Sequence, residues 1–361
     1  MDSVTQFLLG AAVGTAVLGR RLGPRKAAVV GGLLGTLPDL DVVVPFEDPV
    51  DAFVLHRGPS HSLIVQAVVT PLVGEALVRS FKDLRAQRWQ TYLAVYLCFA
   101  THALLDATTI YGTRLFWPLW PEPVGIGSLF IIDPLYSLPL LVAVIWALCL
   151  KAWTPGFRGV LAGSLVFTTA YLAWSLAAQQ TVQAQATQIL ADSGVQPQRL
   201  LAIPTPFNTA FWRVIAVEDG RYINLYLPVF GAGGGTTAYS HPRDVAAARC
   251  LRGNPALEKL AAFSKGFYTV ERRDGEITVS DLRMGLTPGY VFRFAIARET
   301  AEGIEAIPPE RRRTQRTTPG DWDWLLASVA GEAVARPSEA AAAVEITALA
   351  SRSGAAASTV C

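Results

Sequence analysis

Three short clusters carry most of this chain's histidine, each beside an acid: Pro38-Asp39-Leu40-Asp41, His56-Arg57-Gly58-Pro59-Ser60-His61-Ser62 and His102-Ala103-Leu104-Leu105-Asp106. Neutral imidazole mixed with carboxylate suits a divalent transition metal, Zn²⁺ first and Mn²⁺ or Fe²⁺ next, better than the all-oxygen ions Ca²⁺ and Mg²⁺. His102 and Asp106 are four apart and share one face of a helix. Asp39 and Asp41 are two apart after a proline, so in extended backbone they point the same way. His56 and His61 flank a Gly-Pro turn that can aim both rings at one point. The expected ligands are therefore Asp39, Asp41, His56, His61, His102 and Asp106. Six exceed the three protein ligands of an ordinary catalytic zinc and permit a two-metal site. Such a metal would activate water for hydrolysis, with Asp41 or Asp133 as proton acceptor and Arg57 as the partner of a substrate phosphate.

Each element also has a plainer reading. Asp-x-Asp at a helix end is often a cap or turn. His102 with Asp106 fits a buried structural pair, Asp133-Pro134 fits a helix start, and Arg57 fits an anchor at lipid headgroups. His241 stands alone beside Pro242 and reads as structural. The combination favours metal, because the half of the chain that holds the clusters is otherwise poor in charge.

That poverty sets the expected elements. Of 31 Lys and Arg, 12 lie in residues 1–178 and 19 in residues 179–361. A bilayer crossing needs roughly 17–25 apolar residues. Five stretches approach this, at about 27–44, 62–78, 90–106, 129–150 and 159–178, with a shorter Gly/Ala-rich sixth at about 4–19. Asp39, Asp41, His102 and Asp106 fall inside two of them, which is costly unless they face protein or water. Residues 1–19 are apolar before they are basic, the reverse of a cleavable signal peptide, and are expected to persist. Arg20 to Lys26, Arg79 to Arg88, and Lys151 with Arg158 put ten basic residues in three alternate loops, against one each (Arg57, Arg114) in the others. The positive-inside rule places those three loops in the cytoplasm. All three clusters and everything after about residue 179 then lie outside.

The expected fold is a mainly α polytopic membrane domain of 5–6 transmembrane segments (residues 1–178), followed by a small α+β soluble domain (179–331) and an Ala-rich tail (332–361). In the soluble part, Gln179 to Gln188 is helical in pattern. Trp212 to Val217 and Arg221 to Val229 read as a hairpin around Glu218-Asp219-Gly220. Further strands are expected near 267–271, 276–281 and 289–297, with a helix at 243–263. The cysteines Cys98, Cys149, Cys250 and Cys361 show no paired spacing. No basic run is interleaved with aromatics, so nucleic acid is not an expected partner.

Read as motifs, Pro38-Asp39-x-Asp41, His56-Arg57-Gly58-x-Ser60-His61-Ser62 and His102-x-x-x-Asp106-x-x-Thr109-x-Tyr111-Gly112-Thr113 resemble the bacterial membrane-bound metal-dependent hydrolase family. That family includes a LexA-controlled member and is distantly similar to zinc-dependent phospholipase C-like enzymes. Asp133-Pro134-Leu135 and Pro204-Thr205-Pro206-Phe207-Asn208 extend the resemblance over about residues 5–230. It implies a metal held by the six residues above and hydrolysis as the reaction class, without naming a substrate. The expected protein is a multi-pass hydrolase of the bacterial inner membrane acting on an ester or phosphoester, such as one in a lipid, at the outer leaflet surface. The aromatic run Leu115 to Trp120 is expected at headgroup depth, where Trp partitions. The rival expectation is a membrane scaffold or sensor whose metal is structural.

Overall fold

The N-terminal apolar sequence folds as two antiparallel helices, α1 (Ser3–Leu22) and α2 (Pro24–Thr36), in a computed structural model that describes residues 1–231 and 237–349. The side chain of Asp2 caps α1 by accepting from the amides of Val4 and Thr5. Gly23, with φ +84°, ends it where Pro24 starts α2. Glycines four apart set how closely the two helices meet. A Cβ at Gly31 would lie 2.4 Å from the Gly10 carbonyl oxygen, and one at Gly35 would lie 2.6 Å from that of Gln6. Backbone thus packs on backbone, as small residues allow between helices.

The chain then turns through a 3₁₀ segment (Leu37–Val43), α3 (Pro49–Leu55) and a short turn (Pro59–His61). α4 (Leu63–Ser80) follows, capped by the Ser62 side chain, then α5 (Arg88–Thr108), α6 (Pro134–Cys149) and α7 (Pro155–Asp192). Two units divide these elements. The first comprises Met1–Pro45, His56–Leu176 and Pro206–Asn208. Its largest core joins Leu8, Ala12, Leu105, Tyr136, Leu140 and Phe157.

The expectation of five to six crossings is overturned. Among the described residues only α4 and α7 are both long and apolar enough to span a bilayer. α6 is apolar but has 16 residues. α2 has only 13 before the chain tightens into the 3₁₀ segment at Pro38. α1 and α5 are long enough, yet Thr5, Gln6 and Thr15 in one, and Thr91, His102 and Asp106 in the other, are buried polar positions that lower their apolarity. Part of each stretch packs against protein, as Leu8, Ala12, Ala28, Leu105 and Leu140 do in one core. The chain is a helical N-terminal unit joined to a sheet-rich C-terminal one.

The second unit holds Phe46–Leu55, Ala177–Thr205 and the described residues from Thr209 onward. Five antiparallel strands run in the order β1 (Arg199–Pro204), β2 (Phe211–Val217), β3 (Arg221–Pro228), β4 (Ala238–Pro242) and β11 (Ala343–Val344). The hairpin pairs Val217 with Tyr222 around the anticipated turn. After α8 (Val245–Cys250) and α9 (Pro255–Phe263), a second sheet orders β10 (Gly303–Arg311), β9 (Arg293–Thr300), β6 (Glu276–Asp281) and β5 (Tyr268–Arg273). A small ribbon of β7 (Gly285–Leu286) and β8 (Gly289–Tyr290), then α10 (Asp321–Val329), complete it. The helix expected at 243–263 is two helices, because Gly253 (φ +85°) and the Asn254 cap restart it. Residues 332–349 are woven into this unit: Arg336 and Glu339 are buried and β11 pairs with β4. Residues 350–361 of the expected tail lie outside the described residues.

The glycine contact yields a first prediction. Gly31→Ala forces α1 and α2 apart, and overpacking of this kind costs about 1–3 kcal/mol. Gly163→Ala on α7 has open space around its Cβ and is expected to be neutral or slightly stabilising. Thermal unfolding of both variants checks this; equal melting temperatures would remove the tight contact.

Candidate metal centre

Four side chains of the first unit converge. Asp39 comes from the 3₁₀ segment after α2 and His61 from the turn that leads into α4. His102 and Asp106 come from the last two turns of α5. One ligand atom from each lies within 4.8 Å of all the others. His61 Nε2 is 3.4 Å from Asp39 Oδ1, 3.5 Å from Asp106 Oδ2 and 3.1 Å from His102 Nε2. His102 Nε2 is 3.5 Å from Asp39 Oδ1 and 3.4 Å from Asp106 Oδ2. Donors about 2.0–2.1 Å from a tetrahedral ion stand about 3.3–3.4 Å from one another, and these five separations bracket that edge.

Proton placement sharpens the fit. His102 Nδ1 is 2.6 Å from the Gly35 carbonyl oxygen, which can only accept, so Nδ1 carries the hydrogen. Ser60 Oγ donates to Asp41 Oδ2 at 3.0 Å and therefore accepts from His61 Nδ1 at 2.9 Å. In neutral rings both Nε2 atoms are then bare lone pairs. At 3.1 Å apart they need a cation between them, either a proton carried by one ring, which the Asp106 and Asp39 carboxylates favour at His102 against its burial, or a metal ion that takes its place. These are the second-shell contacts that orient metal-binding histidines. His61, His102 and Asp106 are buried, whereas the Asp39 side chain is 22% exposed. Burial pushes the Asp39 carboxyl up, but hydrogen bonds from His102 and His61 override it and hold the group below its ordinary range. A divalent transition metal fits this donor set.

Two expected ligands stand one layer out. His56 Nδ1 lies 3.0 Å from Asp41 Oδ1. Asp41 Oδ2 also accepts from the Arg57 amide at 3.0 Å and lies 3.6 Å from His61 Nδ1. Burial pushes Asp41 up, and the His56 contact more than reverses it, leaving the carboxyl below its usual value. The reason for the split is the backbone. A 3₁₀ turn has about three residues per turn, so residues two apart diverge, whereas in extended chain they would align. Asp39 and Asp41 therefore serve different shells.

Arg57, with φ +60°, is turned inward. Its Nε is 3.2 Å from Asp106 Oδ2, its Nη1 donates to Thr109 Oγ1 at 3.4 Å, and its guanidinium stacks 5.0 Å from the Tyr111 ring. Gln6 and the Met1 amino group also meet Asp106. Asp133 is placed elsewhere. It caps α6 through the Tyr136 amide and accepts from the Tyr171 hydroxyl at 2.9 Å, and burial raises its carboxyl despite both contacts. Gly35 and Ser60 carry roles that the sequence reading did not assign. Ser60 had a positional signal inside the His56–His61 block; a backbone carbonyl such as that of Gly35 has none.

No curated protein and no solved structure matches the chain. A family model described as YdjM inner membrane protein matches residues 1–182 of the 361, a stretch that holds all four converging donors, the Asp41–His56 pair and both candidate spans up to residue 182. By that match over half its length, the chain belongs to the YdjM inner membrane protein family.

Proposed function

We propose that the protein is a metal-dependent hydrolase of the inner membrane, acting on an ester or phosphoester at the membrane's outer face. The observation that carries this reading is the convergence of four ligand atoms, two of them Nε2 atoms 3.1 Å apart, with a His56–Asp41 pair one layer outside. Asp39, His61, His102 and Asp106 would hold the ion. When bound, the ion supplies Lewis-acid polarisation of water and of the scissile group. Asp41 orients His56, whose side chain is 25% exposed and free to take a proton from attacking water and return it to the leaving group. Arg57 acts through Asp106, holding that carboxylate in position rather than reaching for substrate.

Location has its own support. Arg79, Lys82, Arg85 and Arg88 crowd the end of α4, while Lys151 and Arg158 flank the start of α7, marking those ends as cytoplasmic. The His61 end of α4 and the chain after α7 then face outward. Val42 and Val43, beside Asp41, are 71% and 77% exposed, and Leu119 and Trp120 are 83% and 62% exposed. Apolar groups this open suit a lipid surface and a lipid ester as substrate.

A second reading has a specific observation behind it. Four protein donors fill a tetrahedral ion, and closed sites are structural more often than catalytic. Turnover separates the two. Metal-loaded protein in micelles is expected to hydrolyse a phosphodiester or carboxyl-ester lipid. His56→Gln should keep the metal and lose about 10²-fold in rate. Unchanged turnover in that variant removes the acid–base role, and no turnover of any ester by loaded wild type leaves the structural reading.

A further inference from the structure

The C-terminal unit holds a second concentration of charge, far in sequence from the metal centre. A cleft of about 260 Å³ is lined by Gln198, Arg199, Asp219, Arg243, Asp244 and Tyr268, among others. Arg199 is exposed at the cleft. It packs over Gly266 (φ +81°), where a Cβ would lie 2.4 Å from Arg199 Nε, so a side chain at 266 would displace it. Arg243 is half-buried. Its Nε donates to the Tyr268 carbonyl at 3.1 Å and its Nη1 to the Glu218 carbonyl at 2.9 Å, with the guanidinium 5.2 Å from the Tyr268 ring centre. Carbonyls and a ring face orient an arginine without neutralising it. Among the described residues, neither Arg199 nor Arg243 holds a carboxylate, whereas Arg221, Arg272, Arg283, Arg293 and Arg312 of the same unit each do.

The two acids of the cleft do not cancel this pair. Asp244 accepts from Arg272 Nε at 2.7 Å and caps α8, so its charge is committed. Among the described residues Asp219 accepts an amide hydrogen from Gln198, at 2.7 Å, and its charge is felt by Arg243. Two guanidinium groups therefore share the cleft with one carboxylate that no arginine pairs directly. Like charges held at one cleft repel, and an anion between them reverses the sign of that interaction.

We propose that this cleft binds a phosphate group, with Arg199 and Arg243 as its charge partners and the Tyr268 ring beside it. Guanidinium forks match phosphate oxygens in geometry, and a tetrahedral anion can face two guanidinium groups, here one from the start of β1 and one from the loop between β4 and α8. The volume suits the phosphate of a small molecule or a phospholipid headgroup.

The test uses the full chain in micelles, stripped of metal with chelator so that the metal centre cannot bind the probe. Inorganic phosphate and glycerol phosphate are titrated by calorimetry at low salt. Saturable binding of either with one site per chain, weakened about ten-fold or more by Arg199→Ala while the fold is kept, is the expected result. Arg243→Gln should weaken it comparably. Loss of phosphate binding in nanodiscs of an anionic phospholipid, but not of phosphatidylcholine, would identify the headgroup as the source; retention in both would identify a free phosphoester. The proposal is overturned if wild type shows no saturable binding of either probe, or if Arg199→Ala binds as tightly as wild type.

Discussion

Replacing either His61 or His102 by alanine is expected to empty the metal centre. Each contributes one of four donors, and among the described residues the neighbouring candidates are committed elsewhere: Asp41 and His56 to each other, and Asp133 to Tyr136 and Tyr171. Loss of a ligand should weaken metal by more than the 10- to 100-fold typical of second-shell changes. Ser60→Ala, which removes the contact that fixes the His61 tautomer together with the hydrogen bond to Asp41 but no ligand, should fall within that smaller range. Asp133→Asn should leave metal content unchanged. The graded order, two ligands worst, Ser60 intermediate and Asp133 silent, is what a merely structural cluster would not give. Metal content by elemental analysis measures it, with chelator competition for affinities. Cobalt substitution adds a spectroscopic check, since a four-coordinate ion absorbs visible light more strongly than a six-coordinate one. Full metal content in both histidine variants would return the cluster to a set of hydrogen bonds.

Much of that centre was legible because its signals are local. His102 and Asp106 share a face by helical spacing alone, and His61 sits in a turn whose Gly-Pro leaves few conformations. What could not be read was the division between shells. It depends on whether Leu37–Val43 is extended or 3₁₀, and the Leu-Pro-Asp-Leu-Asp sequence has no periodicity that separates the two. The inward turn of Arg57 depends on one positive φ at a non-glycine residue, which residue type does not announce. The number of crossings was overread for a related reason. Hydropathy counts apolar residues but not what they pack against, and α1 and α2 spend theirs on each other through Gly10, Gly14, Gly31 and Gly35. In the C-terminal unit the hairpin at Glu218–Gly220 was plain from alternation. The place of Glu339, in an Ala-rich run with no strand or helix signal, was not.

Glu339→Gln is expected to be the most destabilising single change in the C-terminal unit. The carboxylate accepts from Asn224 Nδ2 at 2.6 Å, Tyr226 Oη at 2.5 Å, His241 Nε2 at 2.7 Å and Arg336 Nη1 at 2.8 Å. Four donors on one buried acid leave no place for an amide NH₂, and the variant takes from Arg336 one of its two carboxylate partners, leaving Asp321, and weakens the field around buried Arg213. Breaking a buried ion pair from one side costs about 3–5 kcal/mol. Glu302→Gln, in an exposed turn, should stay within about 0.5 kcal/mol. The same carboxylate sets a pH dependence. Burial would push it up, but the His241 hydrogen bond and the charges of Arg213 and Arg336 override burial and hold it at about 2, against an ordinary 4.5. A depressed folded value means the stabilisation is complete above 4.5 and is lost as pH falls through 4.5 toward 2, a span worth roughly 3 kcal/mol. Urea unfolding of the full chain reads both effects through Trp324, which is buried and lies 5.4 Å from the Arg336 guanidinium. Wild type should lose stability on acidification from pH 5 to pH 3, and Glu339→Gln should lose much less over the same interval because it no longer carries the group that titrates. Parallel acid losses in the two proteins would mean that the buried network is not what the carboxylate supports.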